Sequence, residues 1–176
     1  MRSRLWMTAY ALMAGLGFTP SVCLAQKASS INYKVLANED SGFNVALVEK
    51  LLKKGDSLVS KGDLVEAKES YDQARKVSKQ LLSFYRTLGG SFRGLDARIP
   101  REMDAKSRQV AKLYANVNLR LAAVFRRQNK PEVAVPVLIE VVKLMTPAKV
   151  EGQKAYQSLL ELGFVDTPYA AARKKL

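Results

Sequence analysis

From Asn44 onward the apolar residues fall at helical spacing, with Leu47, Leu51, Leu58 and Val59 on one side and Glu49, Lys50, Lys53, Lys54 and Asp56 on the other. Gly62-Asp63 closes this first helix, glycine as the left-handed terminator and Asp63 as the cap of the next. Ala67, Tyr71, Ala74, Leu81, Tyr85 and Leu88 then mark a second helix from Leu64 to about Leu88. Gly89-Gly90-Ser91 breaks the pattern, and the stretch through Phe92, Gly94 and Ile99 reads as a loop. A third helix is predicted from Pro100 to Gln128, with proline in its first turn and Glu102 and Asp104 at the positive end of its dipole. Past Asn129-Lys130 a fourth runs from Pro131 to Met145, and Pro136 inside it predicts a kink or a delayed start. Thr146-Pro147 is expected to cap a last helix that ends at Gly163. No segment alternates with the period of a strand, so the fold class is all-α, antiparallel helical hairpins of about five helices.

Outside this helical domain, residues 44–163, the pattern changes. Arg2 and Arg4 precede an apolar run from Leu5 to Phe18, and Cys23-Leu24-Ala25 precedes Gln26. That order of charge, apolar run and small residues is the layout of a secretory signal peptide, residues 1–25, cleaved after Ala25. An uncleaved anchor is the alternative, since a helix from Leu5 to Ala25 reaches about 30 Å. Val22 and Pro20 upstream of Cys23 argue against a lipid anchor. Residues 26–43, rich in Ser and Asn, are expected to be an extended arm, and residues 164–176 a C-terminal tail.

Composition narrows the chemistry. The chain has no His and one Cys, Cys23, which excludes Ser-His-Asp and Cys-His catalysis and metal sites built on His. Cleavage would remove the thiol as well, leaving an extracytoplasmic protein in a periplasm or equivalent lumen that is held together by packing alone. No cofactor, metal or catalytic residue is predicted. Asp96, Glu102 and Asp104, beside the Arg-containing loop, are the carboxylates an enzyme could use, and three acids there fit a helix start better than an active site.

Internal spacing is more informative. Gly55, Leu58, Gly62, Ala67, Tyr71 and Ala74 recur at matching offsets as Ala122, Phe125, Asn129, Ala134, Leu138 and Val141. Small residues let two helices cross closely, large apolar ones fill the space beside them, and Gly or Asn makes the turn. This spacing resembles the tetratricopeptide repeat, a helix-turn-helix unit of about 34 residues. The two copies span residues 48–81 and 115–148, separated by an irregular basic segment, 82–114. Lys54 and Asn118 stand where that family has apolar residues. The resemblance implies a short stacked array with a groove, acting as a protein-interaction scaffold without catalysis. Some members of that family grip a carboxylate from their first helices; here Lys53, Asp56, Asn116 and Arg120 lie on comparable helices, and the acidic Asp56 speaks against such a clamp. A plain antiparallel bundle is the competing architecture.

The charge has one location. Of 29 basic and 16 acidic residues overall, residues 75–130 hold 14 basic and 3 acidic, while the parts on either side of that segment in the mature chain are nearly neutral. Arg86, Arg93, Arg98, Arg101, Arg108, Lys112 and Arg120 are therefore the candidate partner contacts, with Arg93, Arg98 and Arg101 offered by the loop after Gly90. An acidic or membrane-associated protein is the expected partner and an anionic lipid surface the alternative. Export makes nucleic acid the weakest option. A solvated basic face that serves only solubility is the bland reading.

Overall fold

The computed structural model describes residues 42–170, and among them are five helices and no strand. They are α1 (Val45–Lys61), α2 (Leu64–Ser91), α3 (Arg98–Arg127), α4 (Pro131–Met145) and α5 (Val150–Glu161). The signal peptide and most of the arm expected from the sequence lie outside the described residues. Phe43, assigned to the arm, meets Phe84 of α2 edge-on at 6.1 Å between ring centres. The described start of the tail, residues 164–170, returns to α5, where the Tyr156 hydroxyl donates to the Thr167 carbonyl at 2.7 Å.

Local chemistry sets most of the boundaries. Asn44 caps α1 by accepting from the Leu47 amide at 2.7 Å. Gly62 adopts the left-handed conformation, φ 85°, that lets the Asp63 amide reach back to the Leu58 carbonyl. Asp63 in turn accepts from the Glu66 amide at 3.1 Å.

Several expectations about the helix ends are corrected by the structure. Helix α2 continues through Gly89 and Gly90 to Ser91, which shortens the predicted loop to residues 92–97 and starts α3 at Arg98. The reason is tertiary: Gly89 is buried, and a Cβ there would stand 3.0 Å from Met103 Cβ, so the glycine permits close approach of α3 instead of ending α2. Pro136 does not delay α4, whose first residue is Pro131. Thr146 terminates α4 at φ 53°, and Lys149 is the residue that precedes α5.

Each helix packs against the next in the chain, and α1 and α5 also reach α3. Helices α2 and α4 stand on either side of α3. Tyr71, Leu81, Val110, Leu121, Val124, Leu138 and Leu159 fill the core between them. Among the residues of the internal spacing, Gly55, Ala67, Tyr71, Ala74, Ala122, Phe125, Ala134 and Leu138 are all buried, and Gly62 is the exposed turn. Asn118 is fully enclosed in the same core and makes no hydrogen bond of good geometry.

Candidate partner-binding surface

Where α1, α2 and α3 meet, the charges are matched. The Asp56 carboxylate accepts from the Tyr71 hydroxyl at 2.6 Å and from Arg120 Nε at 2.8 Å. Burial, and then the neighbouring Asp56, push the Tyr71 hydroxyl well above the ordinary tyrosine range. Further along α3, Arg126 pairs with Glu161 of α5 at 2.9 Å. Arg120, expected from the sequence to contact a partner, is thus held by Asp56 and ties α3 to α1. The same pair occupies two of the positions compared with a carboxylate clamp.

The other side of α3 is built differently. Helices α2 and α4 form the walls of a trough whose floor is α3, and they are joined across it by an ion pair between Arg75 and Glu140. Tyr114 donates to the same carboxylate at 2.6 Å from the floor. Burial alone would raise the Glu140 carboxyl, but the hydrogen bonds from Tyr114 and Arg75 and the charges of Arg75 and Lys79 outweigh it. Glu140 is therefore held below the usual glutamate range.

Three cavities follow one another along this trough. The first, about 700 Å³, lies between Arg75 of α2 and Val133, Pro136 and Val137 of α4, over Leu121 and Phe125. The second, about 450 Å³, is lined by Lys79, Ser83, Arg86, Tyr114 and Lys143 and shares Glu140 and Lys143 with the first. The third, about 600 Å³, brings together Arg86, Ser107, Arg108, Lys112 and Lys149. Its acid, Glu151, is buried and lies 3.8 Å from Lys112. Among the described residues, Lys79, Arg86, Arg108, Lys143 and Lys149 form no ion pair, and all five side chains are exposed.

The structure thus gathers three of the seven predicted basic contacts, Arg86, Arg108 and Lys112, at one cavity. Arg93 is exposed in the short loop and Arg101 on the first turn of α3. Arg98 turns back on Asp96, with Nη2 to Oδ2 at 2.7 Å, and that hydrogen bond lowers the Asp96 carboxyl below its ordinary value. A three-arginine loop is therefore not what these residues form: the loop is short, and two of the three belong to α3. Sequence reasoning missed Lys79 as a wall residue, and Lys143 and Lys149 altogether. The signal available was the spacing of Val133, Pro136, Val137, Glu140, Lys143 and Leu144, which marks a second, partly polar face of α4.

No cluster of His, Cys, Asp and Glu among the described residues could hold a metal ion. No helix among them is long and apolar enough to cross a membrane. No family model and no solved structure matches the chain. It is similar to a 4-hydroxy-3-methylbut-2-enyl diphosphate reductase of Dictyoglomus thermophilum, 32% identical over 115 residues. That alignment covers 61% of this chain and 39% of the reductase, so the chain spans well under half of that relative's length.

Proposed function

We propose that this chain is an exported, non-catalytic scaffold, an adaptor or assembly factor of tetratricopeptide-like build, that binds an acidic protein partner through the basic surface of α2, α3 and α4. The observation that carries the reading is the set of exposed cations around one trough, Lys79, Arg86, Arg108, Lys143 and Lys149, with no ion-pair partner among the described residues. A surface of this kind attracts acidic partners and orients their approach. Helix contacts between chain neighbours, with α1 and α5 also on α3, fit stacked two-helix units. The similarity to part of a reductase contributes no activity to this reading. With no His and a single Cys ahead of the proposed cleavage point, the mature chain lacks the usual ligands of a protein-bound redox metal.

The test is capture of partners by the mature protein from its own compartment at low and at raised salt. Exposed charge contacts are screened beyond about 8 Å at physiological ionic strength, so capture of an acidic protein should fall as salt rises. The triple variant Arg86→Ser, Arg108→Ser, Lys112→Ser is expected to lose that capture while keeping its helical circular dichroism. Salt-insensitive capture, or recovery of anionic vesicles in place of a protein, would displace the reading. Intact mass of the exported protein is expected to begin at or near Gln26.

A further inference from the structure

The three cavities are one continuous feature, because the first and second share Glu140 and Lys143 and the second and third share Arg86 and Leu144. Along α2 the trough extends from the level of Asp72 to that of Thr87, which at 1.5 Å per residue is about 22 Å. An extended chain advances about 3.3 Å per residue, so six or seven residues, roughly, fill that length.

The walls change character from end to end. Near the start of α4 the α4 wall and the floor are apolar, formed by Val133, Pro136 and Val137 over Leu121 and Phe125 and facing Asp72 and Arg75 of α2, and Val133 is 38% exposed. Beyond the bridge between Arg75 and Glu140 the walls are cationic on both sides, with Lys79 and Arg86 on α2 facing Lys143 on α4. The acids at the trough are already engaged: Asp72 with Lys68, Glu140 with Arg75 and Tyr114, and Glu151 close to Lys112. A negative ligand therefore meets little competition from within the protein. A flat membrane cannot follow a recessed floor, whereas an extended segment can, sending alternate side chains toward the walls.

We infer that this trough takes an extended acidic segment of a partner protein, about six or seven residues long, with an apolar side chain at the Val133 end and Asp or Glu at alternate positions between Lys79, Arg86 and Lys143. The inference rests on the proposed scaffold role and assigns its contact to one place in the fold.

A fluorescein-labelled peptide of alternating Glu and Ala with a Leu at one end, made with the Leu at either terminus, provides the probe, read by anisotropy at low salt. The better of the two peptides is expected to bind the full mature chain. Lys79→Glu combined with Lys143→Glu should weaken it about tenfold or more, and Arg93→Glu combined with Arg101→Glu by no more than about twofold. Val133→Ser should erase the preference for the Leu-bearing peptide over one with Ala in its place. All the altered residues are exposed, and an unchanged helical signal confirms that each variant is folded. If salt-dependent binding survives the Lys79 and Lys143 reversal, or falls equally with the Arg93 and Arg101 pair, the trough is not the site, although a basic surface that binds acidic partners remains. If neither the peptide nor any acidic protein binds the parent at low salt, the scaffold reading falls with it.

Discussion

Gly55 of α1 lies against the ring of Tyr71 of α2: a Cβ on Gly55 would stand 2.7 Å from the ring Cδ1 and 2.8 Å from Cζ. The two residues are equidistant in sequence from Asp63, so α1 and α2 run back along each other. Their close approach carries the Tyr71 hydroxyl to Asp56, which also receives Arg120 of α3. One missing side chain thus lets three helices share a polar contact.

Gly55→Ala is expected to destabilise the protein. Alanine gains about 1 kcal/mol of helix propensity over glycine, but the buried ring must shift, and overpacking of this kind costs about 1–3 kcal/mol. The same shift pulls the hydroxyl from Asp56. Urea unfolding should show a lower midpoint for Gly55→Ala than for Tyr71→Phe, which loses only the hydrogen bond.

Ala67 and Ala134 are fully buried. Leucine at either position has no space to enter, and each variant should lose about 1–3 kcal/mol. Thermal melts that match the parent in both would mean that these faces are looser than their burial indicates.

How much of this was legible depends on whether a residue's role is set by its chain neighbours or by a distant helix. The small and large residues at Ala67, Tyr71 and Ala74 mark the buried side of α2 by spacing alone, and Asn44, Gly62 and Asp63 mark helix ends because capping is local. Gly89 misleads because the same residue type serves as a breaker or as a seat for a neighbouring helix, and Met103 decides between them. Thr146 misleads likewise, read as the start of α5 when it ends α4. The trough was hidden for another reason. Lys143 and Lys149 sit in a nearly neutral stretch of sequence, and their position beside Lys79 and Arg86 exists only once α3 has placed α4 near α2.

Acid should loosen the bridge across the trough. The Glu140 carboxyl is depressed in the folded protein, so its contribution to stability is fully present above the ordinary glutamate value of 4.5 and is lost as pH falls through the lower folded value. Melting temperature recorded from neutral pH downward should fall more steeply for the parent than for Glu140→Gln. Parallel curves would show that the bridge contributes nothing to folding.

Asn118→Leu is expected to stabilise. The buried amide lies beside the Tyr114 hydroxyl without a well-formed hydrogen bond, a state that costs about 1–3 kcal/mol, and Leu repeats its branching, its bulkier methyl groups taking back part of that gain. A gain in melting temperature checks this, and a loss would show that the amide is satisfied in solution.

The order in which the helices touch also bears on how the chain folds. Every helix packs on its neighbour in sequence, and among the described residues α1 meets neither α4 nor α5. Contacts so local shorten the loops that must close before any packing is gained, which favours rapid folding and lets a first pair of helices form without waiting for the rest. A polypeptide delivered end-first through a narrow channel would gain from that arrangement, since α1 and α2 can close on each other while α5 has yet to emerge.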